Sequence, residues 1–256
     1  MGEVAHRSPP ARAEPVAPVR LAIDAHLRGR MIRRYKRFFA DVETEDGRVL
    51  TVHCANPGSM RGCATPGAAV RCSTSDNEKR KLRHTLEMIR VGRAWVGLHT
   101  ILANRVAKLA LEREVIDELA GYATLASEVR ASEKSRLDFR LDDRGPDSRD
   151  RRPVWVEVKS VTLAEGSLAL FPDSVTERGR RHLEELAKLR EAGERASLLF
   201  LVQRADCDRV SPADDIDPAY GAALRDAVAR GVEVFAIGAR VTARAITVER
   251  RLPVIL

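Results

Sequence analysis

Between residue 31 and about residue 96 the chain is written in short apolar or alternating runs: Phe38 to Val42, Val49 to Val52 and Ala69 to Cys72. They are parted by the turn signals Glu45-Asp46-Gly47, Asn56-Pro57-Gly58 and Thr65-Pro66-Gly67. Short period-two segments separated in this way predict a small β barrel. Beyond residue 100 the pattern changes. Leu102, Val106, Leu109 and Ala110 recur at helical spacing and predict a helix near residues 102–118, followed by strands at about 125–130, 136–141 and 154–161. Ser174-Val175-Thr176-Glu177 resembles a capping box heading a helix that runs to about Glu191. A buried strand at 197–203, a helix at 218–230 closed by Gly231 and another buried strand at 232–237 complete an alternation that predicts an α/β domain. Residues 1–19, rich in Ala, Pro and Arg without periodicity, read as a flexible tail. The barrel domain is then expected over 20–98 and the α/β domain over 99–256.

Composition narrows the class. With 256 residues, 44% of them hydrophobic, the chain can bury one or two cores. No run reaches the roughly 18 to 20 apolar residues of a membrane helix, and the N-terminus lacks an apolar secretory segment, so no membrane association and a cytoplasmic location are expected. Cys54, Cys63, Cys72 and Cys207 include no close C-x-x-C pair and are expected as free thiols. His53 and His84 have no motif partner and read as structural.

Charge changes the picture further. Residues 1–100 hold 18 Lys and Arg against 10 Asp and Glu, whereas residues 101–256 hold 26 against 27. The basic excess of the chain, +7 overall, is therefore entirely N-terminal, which points to a polyanion partner for the barrel.

The most chemically specific stretch is Arg136-Leu137-Asp138-Phe139-Arg140-Leu141, a charged loop, and Val154-Trp155-Val156-Glu157-Val158-Lys159. Both flanks alternate. Leu137, Phe139, Leu141, Val154, Val156 and Val158 can share a core face, leaving Asp138, Glu157 and Lys159 on the other. A symmetric hairpin pairing Leu141 with Val154 puts Asp138 opposite Glu157. Like charges so placed destabilise a sheet unless compensated, and a divalent cation with a preference for oxygen, Mg²⁺ or Mn²⁺, would do so. With Lys159 beside them these groups suit phosphodiester hydrolysis. The alternative is an exposed hairpin face with an ordinary salt bridge from Asp138 or Glu157 to Lys159 or Arg136.

Asp138 followed by Glu157-Val158-Lys159 resembles the signature of the PD-(D/E)xK restriction-endonuclease-like nucleases. The whole chain resembles the sugar fermentation stimulation protein A family of prokaryotes. The matching stretches are Arg34-Tyr35-Lys36-Arg37-Phe38, Asn56-Pro57-Gly58-Ser59-Met60, Leu102-Ala103-Asn104, Glu157-Val158-Lys159-Ser160-Val161-Thr162, Phe171-Pro172-Asp173-Ser174-Val175-Thr176-Glu177-Arg178-Gly179 and Ser211-Pro212-Ala213-Asp214, spanning roughly residues 31–238. The chain departs from the family pattern at Pro57, where a Thr is usual, and at His99, where an Asn is usual. The resemblance implies an N-terminal OB-like barrel followed by a nuclease-fold α/β domain, DNA binding, and a role in expression of sugar-utilisation genes.

Arg33, Arg34, Lys36 and Arg37, interleaved with Tyr35, Phe38 and Phe39, are candidates for contact with DNA, as is the run Lys79, Arg80, Lys81 and Arg83. Asn56, Gly58, Ser59 and Gly62 could offer backbone N–H groups to a phosphate or simply form a tight turn. Glu128, Glu177 and Gln203 are candidate accessory groups. The reading that results is a DNA-binding protein with Asp138 and Glu157 as ligands for Mg²⁺ or Mn²⁺ and Lys159 as catalytic lysine. The competing reading is a regulator that binds DNA without cutting it and keeps a vestigial site. RNA as the nucleic acid and a homodimer are both left open.

Overall fold

The computed structural model describes residues 14–133, 135–146, 148 and 150–256. The first strand, β1 (Glu14–Ala22), precedes six strands of an N-terminal barrel: β2 (Leu27–Tyr35), β3 (Phe39–Thr44), β4 (Val49–Cys54), β5 (Ala69–Thr74), β6 (His84–Val91) and β7 (Ala94–Gly97). They hydrogen-bond in the order β4-β3-β2-β5-β6-β7, and a parallel pairing of β4 with β6 closes five of them into an OB barrel. Alternate residues fill its interior, among them Met31, Val42, Val52, Val70, Leu86 and Ile89. Cys54 and Cys72 lie in the same core, and all four cysteines are buried free thiols.

The α/β domain starts with α1 (Thr100–Glu112), followed after a short 3₁₀ turn by β8 (Tyr122–Arg130), β9 (Arg136–Arg144) and β10 (Val154–Val161). Two short strands, β11 (Leu163–Glu165) and β12 (Leu168–Phe171), lead to α2 (Glu177–Glu191), β13 (Arg195–Val202), β14 (Arg209–Pro212), α3 (Pro218–Ala229), β15 (Glu233–Thr242) and β16 (Ala245–Arg251). The main sheet runs β1-β16-β15-β13-β10-β9-β8, with β10, β13 and β15 parallel at its centre. Every residue of β13 is buried, as a central parallel strand covered on both faces must be. One apolar cluster packs α1 against the sheet through Val106, Ala110, Val156, Leu199 and Ile237. The other packs α2 and α3 against its reverse face through Leu183, Leu186, Phe200, Tyr220 and Leu224. No helix among the described residues is long and apolar enough to cross a membrane.

Three expectations are corrected. The proposed tail over 1–19 does not hold from residue 14 onward, because β1 pairs with β16 at the edge of the α/β sheet; residues 1–13 lie outside the described residues. Pro15 and Pro18 are tolerated there because an edge strand has one unpaired side, and the register shifts between Pro15 and Val19. The start of α2 is capped not by Ser174 but by Thr176, whose hydroxyl accepts the N–H of Gly179. Leu137 does not share a core face with Phe139 and Leu141: it joins the cluster beneath α2, while they pack toward α1.

Candidate active site

The β9–β10 hairpin has the expected register, Val154 with Leu141, Trp155 with Arg140 and Val156 with Phe139, and its ladder ends there. Asp138 is consequently not a plain cross-strand neighbour of Glu157. Its Oδ2 accepts the N–H of Val158 at 2.8 Å, filling the gap where β9 parts from β10, and its Oδ1 accepts from the Asn104 amide on α1 at 2.7 Å. The switch of Leu137 to the opposite core accompanies this parting of the strands. A left-handed residue in the neighbouring strand, Glu128 with φ +55°, lies at the same level.

Glu157 follows Val156 on β10 and is only 3% exposed. Its Oε1 accepts from Lys159 Nζ at 2.7 Å and from Nδ1 of His182 on α2. Its Oε2 is buried with no hydrogen-bond partner. Burial alone would raise the Glu157 carboxyl, yet the Lys159 ammonium and the His182 hydrogen bond hold it below the usual range. Asp138 goes the other way: burial first, then repulsion from Glu157, push it up to about 6 against the pull of the Val158 N–H, Lys159 and Asn104. Two carboxylates that share a site and are driven apart in acidity form the electrostatic pattern of a functional centre.

These side chains sit in a cleft of about 430 Å³. One wall is the β9–β10 splay. Thr100, Ile101 and Asn104 at the head of α1 form a second, Leu170, Phe171 and Asp173 after β12 a third, and Arg178 and His182 on α2 a fourth. The barrel closes the mouth with Asn56, Pro57 and Gly58. That loop is held from both sides. Arg34 donates to the carbonyls of Asn56 at 2.9 Å, Gly58 at 2.7 Å and Ser59 at 3.2 Å, while Asp173 accepts the Met60 N–H at 2.8 Å on Oδ2 and the Ser59 hydroxyl at 2.7 Å on its carbonyl. The Gly58 N–H bonds Asn56 Oδ1. Of the N–H groups considered for a phosphate, that of Gly58 is therefore already committed within the turn, and the neighbouring Met60 N–H is taken by Asp173.

Asp138, Glu157 and Lys159 thus come together in one cleft, and Glu128, exposed and left-handed in β8, lines the same cleft. Glu177 lies exposed in the first turn of α2 and is not part of the cleft lining. Gln203 is fully buried between the domains, where its Nε2 donates to Ser160 Oγ at 2.8 Å and its backbone carbonyl accepts the Gly97 N–H. Asn104, Asp173, Arg178 and His182 were not singled out as site residues. The first three lie in stretches that carry the family resemblance, and His182 stands four residues after Arg178 on the helix that follows the hairpin. That i, i+4 spacing was the available signal.

On the barrel, Arg33 pairs with Asp41 at 2.8 Å and stacks over Tyr35, which stacks on Phe39 with ring centroids 5.6 Å apart. Lys36, Arg37 and Phe38 form an exposed turn, Phe38 being 47% exposed. Lys79, Lys81 and Arg83 are exposed, and Arg80 reaches back to Thr85.

Residues 32–98 match the family described as the SfsA N-terminal OB domain, and residues 101–245 that described as the sugar fermentation stimulation protein RE domain. The chain is 48% identical over 227 residues to a sugar fermentation stimulation protein homolog of Geobacter sulfurreducens, covering 89% of this chain and 95% of that protein. It is 49% identical over 229 residues to one from Maricaulis maris, with 89% and 95% covered. A solved structure of Pyrococcus furiosus SfsA in complex with Ca²⁺ superposes with a TM-score of 0.81 at 27% identity, covering 92% of this chain and 98% of that one. Two matched domains in order, over the barrel and over the sheet that carries the cleft, together with near full-length relatives, establish that this chain belongs to the sugar fermentation stimulation protein family.

Proposed function

We propose that this protein binds DNA and hydrolyses its phosphodiester backbone with the help of a divalent cation held by Asp138 and Glu157. The observation that carries the reading is the buried, unpartnered Oε2 of Glu157 beside a second carboxylate raised to about 6. An oxygen left in that state is stabilised by a cation. Among the described residues no three His, Cys, Asp or Glu side chains cluster as a complete metal site. Two carboxylates still fit Mg²⁺ or Mn²⁺, because such ions commonly keep water and take substrate phosphate oxygens as their remaining ligands. That the Pyrococcus furiosus relative was solved in complex with Ca²⁺ supports reading a cation site in this chain.

The bound cation would polarise a phosphoryl oxygen and acidify a water. The side chains do the rest. Asn104 and the Val158 N–H fix the Asp138 carboxylate, and Lys159, anchored at Glu157 Oε1, supplies a positive charge to a developing oxyanion. The basic turn Lys36-Arg37, the Arg33–Tyr35–Phe39 stack and the 79–83 loop give the barrel a surface suited to phosphates and bases.

Incubation of linear, nicked and single-stranded DNA, and of RNA, with Mg²⁺, Mn²⁺ or EDTA tests this. Metal-dependent cutting that disappears in Asp138→Asn and Lys159→Ala is the expected result. Wild-type protein that binds every substrate and cuts none, with Asp138→Asn binding equally well, would instead establish a non-cleaving regulator.

A further inference from the structure

Arg178 and His182 lie one helical turn apart on α2, and both line the cleft. Arg178 Nε donates to His182 Nε2 at 3.4 Å. The Glu157 carboxylate has only lone pairs to offer, so the imidazole proton that faces it sits on Nδ1, and Nε2 is left to accept from Arg178. That Nδ1 faces Oε1 of Glu157, to which it donates. Lys159 Nζ, 3.4 Å from the same ring nitrogen, donates to the same oxygen. Two donors converge on Oε1, and Oε2 is left without one. The opposite tautomer would set a lone pair against Glu157 and an N–H against Arg178. Among the described residues the two Nη groups of Arg178 have no protein hydrogen-bond partner, and the side chain is exposed toward the cleft.

We propose that Arg178 has two tasks at this site: its free Nη edge takes the phosphate of a bound nucleic acid, while its Nε locks His182 in the Nδ1–H tautomer that turns Glu157 Oε2 toward the cation. This rests on the function proposed above and extends it by assigning Arg178 to substrate binding and His182 to positioning. A guanidinium suits the first task because its planar fork matches phosphate oxygens. For the second, a histidine held by an outer partner fixes the orientation of the ligand it touches. Arg136, exposed on the opposite wall of the cleft, supplies a further cation to the same strand.

The test separates the two tasks. In metal-free protein at alkaline pH, histidine ¹⁵N spectra should show His182 as the Nδ1–H tautomer, identified by loss of its signals in His182→Asn. Arg178→Ala should bring in the Nε2–H form beside it, because the Glu157 contact alone then holds the ring, whereas Arg181→Ala, an exposed cation on the same helix, should leave it intact. Ca²⁺ titrated without DNA should bind Arg178→Ala and His182→Phe roughly tenfold more weakly than wild type. With Mg²⁺ and a short oligonucleotide, Arg178→Ala should raise KM and lower kcat, and Arg178→Lys should recover KM more than kcat. An Nε2–H signal in wild type, or an Arg178→Ala variant with unaltered tautomer and Ca²⁺ affinity, overturns the positioning role whether or not the protein cuts. Unchanged KM in Arg178→Ala overturns the phosphate contact. Wild type that neither binds a divalent ion nor cleaves defeats the proposed function and that contact together, and the ¹⁵N spectra still decide the tautomer.

Discussion

Asp138 Oδ2 accepts the Val158 N–H at 2.8 Å, standing in for a strand partner at the point where β9 and β10 separate. The carboxylate thereby closes a backbone defect and opens a cleft. Its acidity follows from that placement. The group sits at about 6 in the fold against an ordinary 3.8, so the folded chain keeps a proton the unfolded chain releases. This contribution to stability is complete below about pH 4 and is lost as pH rises through 6. Asp138→Asn, which removes the repulsion from Glu157, should therefore stabilise the metal-free protein at pH 8 by about 1 to 3 kcal/mol and change it little at pH 4. Denaturant titrations in EDTA at both pH values measure this. A variant less stable than wild type at pH 8 would show that the lost hydrogen bonds outweigh the relieved charge.

The same geometry predicts that divalent ions stabilise the wild type. At pH 8, Ca²⁺ or Mg²⁺ should raise Tm for wild type and leave Asp138→Asn unmoved, since one of the two carboxylates is gone. Differential scanning fluorimetry across a titration of each ion decides it, and equal shifts in both proteins would place the ion elsewhere.

Lys159 and Glu157 form a nearly buried pair, 11% and 4% exposed at the side chain. Removing one partner strands the other. Lys159→Met should destabilise the protein by about 3 kcal/mol and lower cleavage at least a hundredfold, while adding Glu157→Gln should recover much of the stability and none of the activity. Chemical denaturation of the two singles and the double completes the cycle. Additive losses would mean that the pair is not coupled.

Much of this site was legible because strand alternation and hairpin symmetry are local rules: the register of Leu141 with Val154 followed from them directly. They assume an unbroken ladder, and so they could not foresee that Asp138 would bond a backbone N–H and send Leu137 to the opposite core. His182 was passed over for another reason: its spacing from Arg178 marks a shared helix face, but its place beneath Glu157 depends on how α2 crosses the sheet. The strand β1 was obscured by Pro15 and Pro18, which read as tail residues until the edge position of the strand is known. The OB barrel was easier, its short strands being separated by Gly-containing turns.

Gly58 sits at the mouth of the cleft, beside the Ser59 and Met60 bonds that tie the barrel to Asp173. A Cβ there would come within 3.0 Å of Asn56 Oδ1 and 3.1 Å of Asp173 Oδ2, the two acceptors that hold the loop. Gly58→Ala should push the loop off Asp173, costing about 1 to 2 kcal/mol and reducing cleavage more than DNA affinity. Hydrogen exchange at the Met60 amide is the local readout; protection equal to wild type would show that the loop accommodates the methyl.

Basic residues of the barrel should divide by what they already hold. Arg34 spends its donors on three carbonyls of the cleft loop, whereas Lys36 and Arg37 extend from an exposed turn. The double change Lys36→Ala and Arg37→Ala should leave Tm within about 1 °C of wild type and flatten the salt dependence of DNA binding, since each lost phosphate contact removes nearly one unit from the slope of log K against log salt. Arg34→Ala should do the reverse, lowering Tm and disordering the 56–59 loop while leaving that slope unchanged. Fluorescence anisotropy with a labelled oligonucleotide at several salt concentrations, set beside the melting curves, discriminates the two classes. A slope unaltered by loss of Lys36 and Arg37 would move the DNA path to the 79–83 loop, where Lys79, Lys81 and Arg83 are the next exposed cations.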